Sequence, residues 1–191
     1  EDGKAKSKEL YLGKYTVVET KAPNGMVINK EKHSVELTYA GQDVAVTETA
    51  TSFVNERQKV KISLEKVLEQ NETFGIGKND KIKNISFGLY AKEDIVSSSG
   101  TVIPADGLIE IITLDENGTA TANTDLPFGS YYIKEIATDE HYILSDTQYP
   151  FTFEYAGQDT ETVEIKVNDG KPIENKLIYG SVSGKKIDEN G

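Results

Sequence analysis

The stretch LGKYTVVETKAPNGMVINKEKHSVELTYAGQD, residues 12–43, recurs 116 positions later as FGSYYIKEIATDEHYILSDTQYPFTFEYAGQD, residues 128–159. Glycine, tyrosine and glutamate positions match, and the final pentapeptide YAGQD is identical. A four-residue insertion at 168–171 raises the offset to 120, after which residues 54–66 align with 174–186. Similarity that continues on both sides of the pentapeptide indicates a repeated structural unit.

The period of this repeat predicts the domain boundaries. Residues 1–57 form the C-terminal half of one repeat, 58–178 form a complete repeat, and 179–191 supply the first strand of a further repeat. We interpret YAGQD as a late strand and turn of each copy.

Short alternating runs within the complete repeat predict an all-β fold. VKISL, YYIKEI and VEIKV alternate apolar and polar residues and are separated by turns rich in Gly, Asn and Asp. Such runs are typical of an antiparallel sandwich or barrel. No long window has helical periodicity, so we expect little helix.

Composition excludes several classes of function. The net charge of -11 disfavours nucleic acid and anionic membranes as partners. The absence of cysteine removes disulfides and thiolate chemistry, and no apolar run is long enough to span a bilayer. His33 and His141 stand apart without carboxylate spacing, so we expect no metal and no cofactor.

Three polar residues fall on the predicted inward faces of strands. Lys66 continues the parity of Val60, Ile62 and Leu64, because side chains alternate between the two faces of a strand. Glu135 shares parity with Tyr131 and Ile133, and Asn175 with Ile173, Leu177 and Tyr179. A polar residue at a strand end can simply face water. The repeat nevertheless echoes all three, in Lys186, Glu19 and Asn55.

Buried charges need partners, so the strands are expected to bring the three groups together. Burial favours a neutral amine and a protonated acid, and a neutral amine is a nucleophile. We expect a protonated Glu135 to hydrogen-bond the carboxamide oxygen of Asn175 and to pass a proton to departing ammonia. The product would be an amide between Lys66 and Asn175.

The sequence resembles a known family at these residues. LGKYTVVETKAPNGM and FGSYYIKEIA resemble the glutamate-containing box of CnaB/SpaA-type prealbumin-like domains, and ISLEKV and IENKL resemble their lysine and asparagine strands. The resemblance implies tandem prealbumin-like (CnaB-type, reverse Ig-like) β-sandwich repeats. It also implies the stalk of a Gram-positive surface adhesin or pilin, with Lys66 and Asn175 joined by an isopeptide bond under catalysis by Glu135.

The incomplete copy lacks a lysine in register with Lys66, so we predict no intramolecular bond at Asn55. Lys186 begins a further repeat, and a speculative alternative is that it completes the half-repeat of another molecule by strand addition. The resemblance implies an extracellular protein that is anchored to the cell wall. No wall-anchoring motif is recognisable in the sequence, so we expect the attachment to lie outside these residues.

Two other functions stay open at this point. One is a ligand-binding adhesin module for a host matrix protein or glycan, with tyrosines forming the contact surface. The other is a transthyretin-like accessory domain of a secreted enzyme, which would share the fold alone. In the preferred interpretation the chain is not a turnover enzyme, and its partners are flanking repeats of the same protein.

Overall fold

A computed structural model describes residues 3–77, 79–96 and 100–189 of the chain. Two compact units are present: Glu1–Gln58 together with Tyr155–Glu161, and Lys59–Glu154 together with Thr162–Gly191. Regular structure in the described residues consists of β-strands and two short 3-10 segments, Asn79–Asn84 and Val167–Gly170. None of the described segments is a helix long and apolar enough to cross a membrane.

The first unit is built on one antiparallel hairpin. Strands β1 (Gly13–Val18) and β2 (Lys32–Leu37) pair so that Gly13 faces Leu37 and Tyr15 faces Val35. Alternate residues of both strands are only half-buried. This burial fits a sheet face that the unit's own residues cover incompletely.

The described residues of the second unit form ten strands in chain order. They are β3 (Lys59–Leu68), β4 (Ser86–Ala91), β5 (Ile95–Val96), β6 (Val102–Ile103), β7 (Leu108–Thr113), β8 (Thr119–Ala122), β9 (Gly129–Ala137), β10 (Gln148–Phe153), β11 (Thr162–Lys166) and β12 (Ile173–Asn175).

These strands form a β-sandwich and a small ribbon. One sheet has the order β10-β9-β4-β7, and the other is organised around β3. Strand β3 pairs antiparallel with β8, and in parallel with β11 along its first half and with β12 at its end. Strands β5 and β6 pair separately. The first and last strands of the unit are therefore direct neighbours that run in the same direction.

The core of the second unit lies between the two sheets. Along β3, buried and exposed positions alternate, with Val60, Ile62 and Leu64 directed inward as the sequence pattern predicts. Phe87 and Ile133 on the opposite sheet are fully buried in the same apolar cluster. The pleat thus directs every second residue of β3, including Lys66, toward this cluster.

The repeat seen in the sequence is present in the structure. The pairing of Gly13 with Leu37 in the first unit corresponds, at the offset of 116, to the pairing of Gly129 with Phe153 between β9 and β10. The Tyr15 hydroxyl donates to Tyr11 O (2.7 Å), as the Tyr131 hydroxyl donates to Pro127 O (2.6 Å). The first unit is therefore a structural copy of the β9–β10 half of the second.

The predicted insertion at 168–171 coincides with a tight turn. Asn168 and Asp169 both have a φ of 55°, and Gly170 has a φ of 74°. The short polar side chains of Asn and Asp tolerate this left-handed conformation. The turn lets the chain leave β11 and return beside β3 as β12.

Two expectations differ from the structure. YAGQD follows β2 and β10 as a loop that ends in the predicted turn, but it contains no strand, and its second copy belongs to the first unit. Tyr179 is 70% exposed because β12 ends at Asn175, and its hydroxyl donates to Glu69 Oε1. The fold class is all-β, as predicted. The division into repeats at 57/58 and 178/179 stays a prediction, and residues 190 and 191 of the last segment lie outside the described residues.

Candidate functional site: a buried lysine, asparagine and glutamate

Lys66, Glu135 and Asn175 meet in the interior of the second unit. Each residue is 1% exposed, although each carries a strongly polar side chain. Lys66 comes from β3, Glu135 from β9 and Asn175 from the end of β12. Three strands thus contribute one group each, and the parity of each strand explains why the group is directed inward.

The lysine and asparagine are in direct contact. Lys66 Nζ donates a hydrogen bond to Asn175 Oδ1 at 2.5 Å, across 109 residues of sequence. The pairing of β3 with β12 sets this contact, because Ile173 lies beside Lys66 in the parallel register. The amine therefore lies against the carboxamide that it would attack.

One oxygen of Glu135 touches both partners. Glu135 Oε1 accepts a hydrogen bond from Asn175 Nδ2 at 2.8 Å and lies 3.4 Å from Lys66 Nζ. The expected hydrogen bond from Glu135 to the carboxamide oxygen is not formed, since that oxygen faces Lys66. In the observed arrangement the carboxamide nitrogen donates to Glu135, and the amine donates to the carboxamide oxygen.

Backbone and side-chain groups hold the remaining polar atoms. Ser145 N donates to Glu135 Oε2 at 3.0 Å, and Thr138 Oγ1 accepts a second hydrogen bond from Asn175 Nδ2 at 2.9 Å. Among the described residues, no buried side-chain nitrogen or oxygen is left without a partner. These bonds fix the orientation of the carboxylate and of the carboxamide.

Apolar surroundings act on the pKa of the lysine. Burial lowers the pKa of Lys66 from its ordinary value of 10.5, and the nearby carboxylate of Glu135 offsets part of this shift. The Phe87 ring lies 5.8 Å from Nζ and contributes to the low-polarity surroundings. A lowered pKa increases the fraction of neutral amine, which is the nucleophilic form.

A glycine lies against the lysine backbone. Lys66 N donates to Gly118 O at 2.7 Å, and a Cβ at Gly118 would come within 2.3 Å of Lys66 O. Gly118 also has a φ of 76°, which L-residues rarely adopt. The turn before β8 therefore supports the strand that carries Lys66, and only glycine fits there.

The first unit contains a half-site with equivalent residues, although both donors there use one oxygen of the glutamate. Asn55 Nδ2 donates to Glu19 Oε2 at 2.7 Å, and Asn29 N donates to the same oxygen at 2.6 Å. Asn29 is ten residues after Glu19, as Ser145 is after Glu135. Where Thr138 accepts from Asn175, the carbonyl oxygen of Val27 accepts from Asn55 at 2.9 Å. Glu19 and Asn55 are half-buried rather than buried.

Lys186 lies elsewhere. The segment after β12 forms no strand in the described residues, and Lys186 is exposed within it. The structure thus brings together Lys66, Glu135 and Asn175 in one site and Glu19 and Asn55 in another. The predicted absence of a bond at Asn55 and the reaction of Lys186 in trans stay predictions.

Sequence reasoning missed Thr138, Ser145 and Gly118. Thr138 aligns with Ala22, so the repeat gave no signal for a hydroxyl at this position. Ser145 acts through its backbone amide, which no side-chain pattern reveals. Gly118 belongs to a DENG turn that was visible in the sequence, but its contact with β3 required the fold.

No cluster of metal-binding side chains accompanies the site. Across the described ranges, no group of three or more His, Asp or Glu residues is arranged to hold a metal ion. A groove of about 220 Å³ lies apart from the three residues and is lined by a separate set, including Phe74, His141 and Ile178.

Comparison with known proteins identifies the family. The family model for the SpaA prealbumin-like fold domain matches residues 1–52 and 72–171, which is more than half of the chain. The chain belongs to this family. Glu19 and Glu135 lie within the matched residues, whereas Asn55, Lys66 and Asn175 lie outside them.

Two solved structures are similar to the chain. The Bacillus anthracis TIE protein superposes with a TM-score of 0.52 at 24% identity, over 88% of this chain and 26% of that protein. The minor pilin GBS52 of Streptococcus agalactiae gives a TM-score of 0.41 at 20% identity, over 96% of this chain and 68% of that one. The chain spans about a quarter of the Bacillus anthracis protein. No curated protein has a significantly similar sequence.

Proposed function

We propose that the chain is a structural stalk segment of a Gram-positive surface adhesin or pilin-like protein, closed by an isopeptide bond between Lys66 and Asn175. The observation that carries the proposal is the buried contact of Lys66 Nζ with Asn175 Oδ1, with one oxygen of Glu135 beside both residues. Family membership and the all-β fold are consistent with this role.

The proposed reaction is a transamidation. The neutral Lys66 amine attacks Cγ of Asn175, a C–N bond forms to Nζ, and the bond from Cγ to Nδ2 breaks. Glu135 Oε1 lies within 3.4 Å of Nζ and 2.8 Å of Nδ2, so one carboxyl oxygen can take a proton from the amine and give it to the leaving nitrogen. Ammonia departs, and atoms and charge balance without a cofactor.

The neighbouring hydrogen bonds define two supporting roles. Ser145 N holds Glu135 Oε2 and leaves Oε1 to face the reacting atoms. Thr138 Oγ1 holds Nδ2 from its other side. Such fixed geometry lowers the entropic part of the barrier, because the reacting groups start in contact. The product stays in the chain, so each molecule reacts once and the protein is not a turnover enzyme.

The mechanical consequence follows from the strand order. The bond joins β3, which enters the second unit, to β12, its last strand, and these strands run parallel side by side. A load applied to the chain would pass through the covalent bond instead of separating β12 from β3. The closed loop of 109 residues also contributes stability through the unfolded state, of about 4 to 5 kcal/mol in the chain-entropy model.

The proposed location is the bacterial cell surface. In this setting the neighbours are flanking repeats of the same protein, and wall attachment is supplied by a region beyond these residues. Binding of a host matrix protein or a glycan would be a property of the whole protein.

Intact-mass spectrometry tests the bond directly. The folded chain is expected to weigh less than its sequence mass by one ammonia, and proteolysis should yield a branched peptide that joins β3 to β12. Lys66→Ala and Glu135→Ala should each restore the full mass. The matched control is Lys61→Ala, an exposed lysine on the same strand, which should keep the deficit. A full sequence mass for the folded wild-type chain refutes the proposal.

A further inference from the structure

The first unit has a surface that holds a YAGQD loop. We call the residues around Ala22, Met26, Ile28 and Gln58 the exit surface, because they lie where the chain leaves the repeat. The loop Tyr155–Glu161 belongs to the same unit. Gln58 is 2% exposed, which is unusual for a glutamine and shows how closely this loop packs.

The loop is held by hydrogen bonds to both main chain and side chain. Ala22 N donates to Gln158 Oε1 (2.9 Å), and Ile28 N donates to Gln158 O (2.9 Å). The Tyr155 hydroxyl donates to Met26 O at 3.2 Å. Gln158 and Tyr155 are residues of the repeated pentapeptide, so these contacts depend on its sequence.

Gln58 completes the recognition with its carboxamide. Gln58 Nε2 donates to Gly157 O (3.0 Å) and Thr160 O (2.6 Å), and Ala156 N donates to Gln58 Oε1 (2.8 Å). Five loop residues, 155–158 and Thr160, use polar atoms in these bonds that would otherwise need water. The exit surface therefore recognises the shape of the YAGQD turn through six hydrogen bonds.

The second unit has the same surface at its own end. In the first unit Met26 forms an isolated bridge with Arg57, and in the second Tyr142 forms one with Leu177. The bond from Gln58 N to Gly25 O (3.2 Å) is matched by that from Ile178 N to His141 O (2.9 Å). The backbone framework that holds the loop is thus repeated.

In this second exit surface the outer residues are exposed, whereas Tyr142 is only 2% exposed. The surface consists of Thr138, Tyr142, Leu144 and Ile178, the counterparts of Ala22, Met26, Ile28 and Gln58. Leu144 is 50% exposed and Ile178 is 58% exposed, and Leu144 N has no hydrogen-bond partner among the described residues. An amide and apolar side chains therefore face solvent where the first unit carries a loop.

The other YAGQD loop, Tyr39–Asp43, has the conformation of the docked loop. Val44 N donates to Gly41 O at 3.3 Å, as Thr160 N donates to Gly157 O at 3.3 Å. Gly41 and Gly157 both have positive φ, 113° and 95°. Tyr39 is 68% exposed, whereas its counterpart Tyr155 is half-buried. The loop is preformed and its tyrosine is accessible.

We propose that the exit surface of the second unit is a docking site for the Tyr39–Asp43 loop of a second copy of this chain. In the docked state Leu144 N donates to Gln42 O, Thr138 N donates to Gln42 Oε1, and the Tyr39 hydroxyl donates to Tyr142 O. Each contact reproduces one that the first unit makes with Tyr155–Glu161. The association is head-to-tail and does not depend on the proposed isopeptide bond.

The replacement of Gln58 by Ile178 sets the strength of this association. Three of the six hydrogen bonds involve the Gln58 carboxamide and are lost, while three are kept. Ile178 offers apolar area to the Tyr39 ring instead. The contact is therefore weaker than the one in the first unit, and it requires either high concentration or a covalent trap to be detected.

Disulfide trapping tests the proposal, because the chain contains no cysteine of its own. The hydrogen bond from Ile28 N to Gln158 O places those two residues within disulfide range, so the equivalent intermolecular pair is Leu144 and Gln42. A Leu144→Cys variant and a Gln42→Cys variant are mixed in equal amounts in a glutathione buffer. We expect the disulfide heterodimer to exceed the fraction given by random pairing several-fold.

Two controls make the outcome decisive. Ile28→Cys combined with Gln158→Cys in one chain should close an intramolecular disulfide. This result would show that the buffer oxidises a cysteine pair in the docked arrangement. Adding Tyr39→Ala to the Gln42→Cys chain should lower the heterodimer yield, whereas Tyr11→Ala, which removes an exposed tyrosine outside the loop, should not. A heterodimer fraction equal to random pairing, with the intramolecular disulfide formed, overturns the proposal.

Discussion

Lys66 Nζ and Asn175 Oδ1 lie 2.5 Å apart, and the two residues are separated by 109 positions in the sequence. The contact joins the first strand of the second unit to its last, inside an apolar core. A lysine in such a place is unfavourable unless a partner compensates for its desolvation. The compensation here is a carboxamide that the amine could attack and a carboxylate placed to transfer a proton.

The first prediction concerns the stability that the bond contributes. Lys66→Met keeps an unbranched apolar side chain of similar length in the core but removes the nucleophile. Unfolding of the second unit in guanidinium chloride should require about 4 to 5 kcal/mol less free energy than in the cross-linked chain, because the unfolded state regains its loop entropy. Lys61→Met on the same strand is the control and should leave the midpoint nearly unchanged.

The second prediction concerns pH. Asn175→Ala prevents the reaction and keeps Lys66 and Glu135. Burial lowers the pKa of Lys66 below its ordinary value of 10.5, so between the lowered pKa and 10.5 the unfolded chain binds more protons than the folded chain. Stability should therefore rise with pH across this window and be reduced below it.

Denaturation of Asn175→Ala at a series of pH values measures this slope. The double variant Asn175→Ala with Lys66→Met lacks the titrating amine and should lose the rise. An equal slope in the single and double variants would contradict a lysine whose pKa is lowered by burial.

The third prediction concerns the turn that supports Lys66. Gly118→Ala places a methyl group within 2.3 Å of Lys66 O and forces an L-residue to a φ of 76°. We expect a loss of at least about 2 kcal/mol in the unfolding free energy, and incomplete ammonia loss in the intact mass. Gly184→Ala adds the same methyl group where no atom lies within 4 Å, and it should change neither quantity.

The fourth prediction concerns Thr138. Thr138→Val keeps the shape of the side chain and removes the acceptor of the second hydrogen bond from Asn175 Nδ2. The leaving amide is then held less firmly, and bond formation should slow by about two- to tenfold, the kinetic equivalent of one lost hydrogen bond. The rate is read from the mass after expression and folding for different times, with the exposed Thr121→Val as control. An unchanged rate would show that Thr138 has no positioning role.

The fifth prediction concerns the half-site. The mass deficit of the dilute chain should correspond to one ammonia and not two, and Asn55→Ala should leave it unchanged. At high concentration, covalent dimers that lose a further ammonia would show that Lys186 of one chain reacts with Asn55 of another, and Lys186→Ala would prevent them. A strictly monomeric species by light scattering at high concentration would exclude this reaction.

Strand parity was sufficient to predict which side chains face the interior. The alternation along β3 directs Lys66 inward with Val60, Ile62 and Leu64, and it does the same for Glu135 on β9. Parity fails at Tyr179, since β12 ends at Asn175 and the chain beyond it no longer alternates. The alternation predicts burial only for residues within the strand.

The remaining details of the site depend on loops and on hydrogen bonds. The Asn175 carboxamide is oriented with Nδ2 toward Glu135 and Thr138. Several donors and acceptors compete for the two ends of this group, and residue types alone do not indicate which of them will bind it. The place of the second YAGQD was also not predicted. Its partners Ala22, Met26 and Gln58 are more than 90 residues away, and the repeat aligned it only with its own copy.

The hydrogen bond between Asn55 and Glu19 has a consequence for the order of events during folding. The described residues of the first unit hold this pair in hydrogen-bond contact without a strand paired as β3 is, so a carboxamide and a carboxylate can be oriented with no lysine beside them. In the second unit the same order would make the arrival of β3 the last step before reaction. The proposed bond would require Lys66 to dock in register with β12, so the cross-link would permanently mark correctly folded molecules.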